Sequence, residues 1–330
     1  MSDIKPCVHD SFSEVIDSPE FLRTTLHIIV LIGLPIHIFG GFCIIFKTPA
    51  QMANMKWVML NLHLWSVALD ISFGFLVVPY IYTPVLAGYS LGVLQDFEVR
   101  MAEMYYLFCV EVAGVTISVA VLFETRFFIL YARESFWRHL RRPWLILNYL
   151  IGATYMIPTY IAIPEQQFGK WFQFRRYPCL PPEVYDDKVF ILTTWSTGVA
   201  YNMSMNTAVQ QALIFVILTY WNMKKSIGQV KMSKKTMDMH RKFLRALILQ
   251  VTIPVVTVTL PLLYSTFATL KSYYNQGTNN LTVCIMATHG IVSSVAMIYL
   301  HKSYWETFKR IACPKFSEIF RDSRVFTHVT

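Results

Sequence analysis

The chain has 330 residues, of which 55% are hydrophobic, 15% aromatic and only 15% charged, with a formal net charge of +9 and a mean hydropathy of +0.43. Soluble domains run nearer one-quarter charged, so this balance excludes an ordinary soluble enzyme and a disordered chain. Thirteen glycines exclude collagen-like material, and six cysteines are too few for a disulfide scaffold.

A helix needs about 20 mostly apolar residues to cross a bilayer core. Seven such runs occur, over residues 22–46, 57–82, 100–131, 143–164, 190–221, 243–269 and 281–301. Short polar pieces separate them, apart from a longer aromatic, proline-rich and charged loop over Glu165–Lys188. The reading is an all-α membrane protein, a seven-transmembrane helix bundle. Residues 1–21 form an outer N-terminal segment, residues 22–301 the bundle, and residues 302–330 a cytoplasmic tail. The first 20 residues carry Asp3, Asp10, Glu14, Asp17 and Glu20 without an apolar core, so they do not read as a cleavable signal.

Basic residues set the orientation. With the N-terminus outside, 19 lysines and arginines fall on inner segments and 8 on outer ones. The +9 therefore belongs to a polarised protein, its basic side reading as inner-leaflet anchors and partner contacts rather than nucleic-acid contacts.

Polar residues inside the spans define inward faces. The second span carries His63, Ser66 and Asp70, the third Glu111, Ser118 and Thr125, and the fifth Asn202, Asn206 and Gln210. The sixth carries Gln250, Pro254, Thr257, Pro261 and Tyr264. The ordinary role of a lone Ser, Asn or Gln there is an interhelical hydrogen bond; the acids Asp70 and Glu111 argue more for function. Glu111 lies about 15 Å down its helix from Met101, a suitable pocket depth. A ligand site is expected from Asp70, Glu111, Ser118, Asn202, Thr257, Tyr264 and His289, with His289 as one partner able to hold Glu111 charged. Pro254 and Pro261 predict a kink in the sixth span.

At the inner end, Glu124 and Arg126 flank Thr125 and suggest a charge lock, with snorkelling of Arg126 as the alternative. Arg138, Lys234 and Lys235 join them as the expected partner-facing bases. His301–Cys313 reads as an amphipathic helix on the inner leaflet, with Cys313 as a lipidation candidate. Cys43, Cys109 and Cys284 lie in spans; Cys7 and Cys179 alone fall on outer segments and are expected to pair. Asn280-Leu281-Thr282 is a glycosylation sequon set very close to the last span. No Walker loop, HExxH, GxSxG or paired CxxC occurs, so neither an enzyme nor a cofactor or metal site is indicated.

Longer words in the sequence go further. They include Ser18-Pro19-Glu20-Phe21-Leu22, Pro35-Ile36-His37-Ile38-Phe39-Gly40, Leu60-Asn61-Leu62-His63-Leu64-Trp65 with Asp70, and Phe123-Glu124-Thr125-Arg126-Phe127. Pro178-Cys179-Leu180-Pro181, Ile253-Pro254, Tyr273-Tyr274-Asn275-Gln276 and His289-Gly290 follow in order. On these pieces the chain resembles the nematode serpentine receptors of class H, along nearly its whole length. Two places depart from the family pattern: Ser303-Tyr304-Trp305 stands for a Pro-Tyr-Arg, and Thr125 for a frequent Asn. The resemblance implies a chemosensory G-protein-coupled receptor for a small-molecule cue, partnered by a heterotrimeric G protein and membrane lipids. It also implies the plasma membrane of sensory neurons and their cilia. The competing reading is a ligand-gated channel or transporter.

Overall fold

The computed structural model describes residues 14–177, 180–194, 210–222, 224–225, 249 and 252–312. Helices dominate because a chain in hydrocarbon must satisfy its backbone polar groups internally. A short helix α1 (Glu14–Asp17) leads into α2 (Pro19–Lys47). Ser18 caps α2 by accepting from the Phe21 amide at 3.1 Å, and Pro19 occupies the first turn, where its missing N–H costs nothing. Next come α3 (Ala53–Ile71), which continues as a π turn to Leu76, and α4 (Met101–Phe127), which continues as a π turn to Ala132.

The fourth span is α5 (Trp137–Thr154) followed by α6 (Ile157–Ile161). The chain then turns by 89° into α7 (Gln166–Arg176), which leaves the direction of the span. Residues 210–222 are helical and belong to the fifth span. The sixth holds a π turn, Val255–Thr259, then α8 (Leu260–Lys271). The seventh is α9 (Gln276–Ala287) and α10 (His289–Leu300), which meet at Thr288. A last helix, α11 (Lys302–Ala312), follows. Among the described residues, five helices are long and apolar enough to cross a membrane, and the bent α5–α7 stretch makes a sixth.

The α4 helix is the axis of the bundle. In its most apolar window 78% of residues are buried, against 28% for α2 and for the sixth span, which keep wide faces toward lipid. Gly114 lets α4 approach α3, because a Cβ there would meet the Trp65 ring.

Three expected boundaries shift, each for a local reason. The second span stops at Leu76 rather than residue 82: Val78 takes a positive φ of 45°, and β1 (Pro79–Ile81) begins. This strand pairs antiparallel with β2 (Ala87–Ser90), and β2 pairs with β3 (Phe190–Ile191). The start of the expected fifth span is thus a strand, since Phe190 and Ile191 complete a small three-stranded sheet. The fourth span begins at Trp137, six residues before its apolar run, because the helix carries on through the basic residues ahead of Pro143. The sixth span is irregular where the prolines predicted it. Pro254 and Pro261 bracket the π turn, and Thr259 Oγ1 donates to the Pro254 carbonyl at 3.5 Å.

The Glu165–Lys188 loop is itself built, and one face of α7 builds it. Gln166, Lys170 and Gln173, at i, i+4 and i+7, share that face. Gln166 accepts from the Ile191 amide at 2.8 Å and donates to the Ile191 carbonyl at 3.2 Å, acting as one more strand residue. Lys170 donates to the Asp186 carbonyl at 2.6 Å, and Gln173 Nε2 to the Thr193 carbonyl at 2.7 Å.

The helix after the last span forms over Lys302–Ala312, within the predicted stretch. Tyr304 is wholly buried and shares a 2.6 Å hydroxyl hydrogen bond with Thr48, while Trp305 and Phe308 stack at 5.4 Å.

Asn280 is 1% exposed, and its amide donates to the Ile16 carbonyl at 2.7 Å, clamping α1 onto α9. A glycan has no room there. Peptide mapping of the chain expressed in eukaryotic cells should find Asn280 unmodified; a glycosylated Asn280 peptide in folded material would contradict this packing.

Candidate functional site: a cavity beneath the sheet and a buried ion pair

A cavity of about 410 Å³ lies between the small sheet and the adjoining ends of the spans. That is within the usual range for small-molecule sites. Its described wall is largely apolar and aromatic, with Phe73 from α3, Tyr105 and Phe108 from α4, and Pro261 and Tyr264 from α8. Met286 comes from α9, while Tyr80, Tyr89 and Phe190 come from the sheet.

The sheet is tied to the sixth and seventh spans. Tyr264 donates to Asn279 Oδ1 at 3.1 Å, and Asn279 Nδ2 donates to the Thr83 carbonyl at 3.1 Å. Thr269 reaches the Pro84 carbonyl at 3.1 Å, and Gln276 the Ile81 carbonyl at 3.2 Å. Tyr80, Tyr82 and Tyr89 cluster with ring centroids 5.1–6.4 Å apart. Burial raises all three phenols, that of Tyr89 to about 12, so the sheet offers neutral hydroxyls. Lys188 sits over the Tyr89 ring at 4.6 Å.

Of the residues expected to contact a ligand, Tyr264 lines this cavity. The other described ones are placed in hydrogen bonds between helices. Asp70 Oδ2 meets His37 Nε2 at 2.9 Å, and Oδ1 accepts from the Gly290 amide at 3.3 Å. Glu111, one turn along α4 from Phe108, accepts from Ser72 at 2.8 Å. Its partner is therefore Ser72, whereas His289 Nδ1 pairs with Thr257 Oγ1 at 2.9 Å. Ser118 takes the ordinary interhelical role, bonded to Asn61 at 2.7 Å and Tyr149 at 3.3 Å. His289 also borders a second cavity of about 40 Å³ with His63, Ser66 and Ser294, too small for an organic ligand. Asn202 lies outside the described residues.

At the other end of α4, Glu124 is completely buried and its charge partner is Arg141 of α5. Arg141 Nε lies 3.0 Å from both carboxylate oxygens, and its Nη2 donates to Thr125 Oγ1 at 2.8 Å. Trp137 Nε1 donates to Glu124 Oε1 at 2.8 Å, and the Arg141 guanidinium stacks on Phe128 at 4.6 Å. Arg126 is buried rather than exposed at an interface, and Arg138 is exposed. Arg141, counted in the sequence only as an inner base, is the residue that sequence reasoning missed. Lys234, Lys235, Cys7, Cys179 and Cys313 lie outside the described residues.

The profile of the serpentine seven-transmembrane chemoreceptors called Srh matches residues 17–314. The chain belongs to this family. The class H resemblance read from the sequence words is thereby established, and with it the seven-transmembrane, multi-pass fold. Serpentine receptor class H-72 of Caenorhabditis elegans is 27% identical over 296 residues, covering 87% of this chain and 84% of that protein. In this Srh chain the Glu124 pair gives the Phe123-Glu124-Thr125-Arg126 word a structural meaning, since Glu124 and Thr125 both bond Arg141.

Removing one partner of a buried ion pair leaves an uncompensated charge. Arg141→Ala should cost on the order of 3 kcal/mol, read as a lowered thermal midpoint of the purified chain. Adding Glu124→Gln to Arg141→Ala should recover part of the loss. Equal stability of Arg141→Ala and the native chain would show that the pair contributes nothing.

Proposed function

We propose that this Srh chain is a chemosensory receptor that binds a small molecule in the outer cavity and signals through a heterotrimeric G protein on its basic face. The cavity of about 410 Å³ carries the reading, because its wall joins the sheet to α4, α8 and α9. A ligand there touches elements of the third, sixth and seventh spans together. It can shift the receptor only by binding one arrangement of them more tightly than another. The sixth span, irregular between Pro254 and Pro261, is the natural moving part.

The N-terminus faces outside in this reading, supported by 19 basic residues on one set of segments against 8 on the other. The inner face then includes Arg138, Lys234 and Lys235, and the Glu124–Arg141 pair, which joins α4 to the helix that carries Arg138, is the lock that opening must rearrange. Sensory cilia are the expected site of action. Ligand contacts are reassigned to Tyr264 and its cavity neighbours, with Asp70, Glu111, Ser118, Thr257 and His289 setting helix positions beneath.

Screening an odorant panel on cells expressing the chain, with G-protein activation as readout, tests this. At least one compound should activate, and Phe108→Trp, which fills the cavity, should lower its potency about tenfold or more at unchanged surface expression. A ligand-evoked ion current that persists without G proteins would overturn the reading in favour of a channel or transporter.

A further inference from the structure

The helices that build the cavity wall carry acids, yet none of these acids lines it. They are Asp70 of α3 and Glu103, Glu111 and Glu124 of α4, while α7, α8 and α9 have none. All four are engaged elsewhere. Asp70 meets His37 at 2.9 Å, and Glu103 accepts from Tyr160 at 3.0 Å. Glu111 accepts from Ser72 at 2.8 Å, and Glu124 from Arg141 at 3.0 Å. Residues 178–179 and 195–209, which follow Tyr177 and Thr194 of the wall in sequence, contain no Asp or Glu either.

One charged side chain does stand on the described wall. Arg176, at the end of α7, lines the cavity and is exposed, so its guanidinium stays charged and accessible. Among the described residues no carboxylate lies within ion-pair distance of it.

An aromatic wall can hold a cation against its ring faces. Here two of the wall rings already carry the protein's own cations: Arg176 lies over Tyr177 at 5.7 Å, and Lys188 over Tyr89 at 4.6 Å. Phe73 and Phe108 meet each other edge to face, with centroids 4.7 Å apart.

We infer that the cavity selects its ligand by charge sign. It takes an apolar molecule that is neutral or acidic and rejects the matching amine, and Arg176 sets the sign. This rests on the cavity reading above. An ammonium group there loses water without gaining a counter-charge, and it meets Arg176 instead. A hydroxyl costs far less to desolvate, and a carboxylate recovers part of its cost from the guanidinium. Selectivity thus belongs to the loop helix α7 and not to the acids inside the bundle.

The test uses the full chain in nanodiscs of phosphatidylcholine, a zwitterionic lipid that adds no net surface charge. The probes share one apolar body: 3-phenylpropanol, 3-phenylpropanoate, 3-phenylpropylammonium and its trimethylammonium analogue. Ligand-dependent shifts in melting temperature give their affinities. The alcohol and the carboxylate should each bind about tenfold more tightly than either cation. Arg176→Glu should shift the carboxylate-to-ammonium ratio about tenfold or more toward the ammonium. Arg175→Glu makes the same charge change, but Arg175 lies over Trp171 at 5.5 Å and off the described wall, so it should leave the ratio nearly unchanged. An ammonium that binds as tightly as the alcohol overturns the inference, as does tightest binding of the trimethylammonium probe, the mark of an aromatic cage. So does a ratio that Arg176→Glu leaves in place or that both variants move equally. In each of those cases binding itself survives, and with it the cavity reading. Failure of all four probes to bind would sink that reading together with this inference.

Discussion

The packing of this bundle turns on one carboxylate that lipid will not tolerate alone. Asp70 is 3% exposed in a membrane span, so it must recruit partners or pay the full cost of burial. It takes His37 from α2 and the Gly290 amide from α10. His37 Nδ1 then lies 3.2 Å from Ser294 Oγ, which lies 3.5 Å from His63 Nδ1, and His63 Nε2 returns to the His37 carbonyl at 3.0 Å. Three spans are thereby fixed in rotation as well as in distance. Gly290 is required on steric grounds, since a Cβ there would collide with the Asp70 carboxylate.

Proton placement in that network follows from one carbonyl. His63 Nε2 faces the His37 carbonyl and must carry its hydrogen, so in the neutral ring Nδ1 accepts, and it accepts from Ser294. The serine oxygen is then free to accept from His37 Nδ1–H. Every donor and acceptor is satisfied when one further proton lies between His37 Nε2 and Asp70 Oδ2. In that arrangement the pair carries no net charge. Such pairing suits a low-dielectric interior, where a lone ionised group is the costly alternative.

The spans were legible in the sequence because lipid imposes a length and composition on each one. The short sheet was not. Val78 to Ser90 continues the apolar run without a charged residue, and Pro79, Pro84, Gly88 and the strand-forming Tyr80, Tyr82 and Tyr89 are the marks that distinguish it from a helix. Inward-facing positions were also legible: His63, Ser66, Asp70, Glu111, Ser118 and Thr257 are all buried. Their roles were not, because periodicity tells which face is inward but not which neighbour faces it. Arg141 illustrates the limit. Its position four residues after Trp137 on a helix was readable, yet its pairing with Glu124 depends on how α5 crosses α4. Gln173 was more accessible, since Gln166, Lys170 and Gln173 form a polar stripe in what otherwise reads as an irregular loop.

The same helix carries both ends of the proposed mechanism. Phe108 on the cavity wall and Glu124 in the ion pair are both on α4, separated by about 24 Å at 1.5 Å per residue. Because α4 is the most enclosed span, it is poorly suited to move as a lever. The elements around it are better placed to do so. The sixth span has a wide lipid-facing surface, an irregular turn between two prolines, a bond from Thr269 to Pro84 in the β1–β2 connection, and a bond from Tyr264 to Asn279 of the seventh span. The seventh has its break at Thr288, next to the His289–Thr257 bond that joins it to the sixth. In the proposed mechanism a ligand under the sheet acts on two jointed helices against a fixed one. Motion of the joints, rather than of the axis, is the physically cheaper route from the cavity to the far end of the bundle.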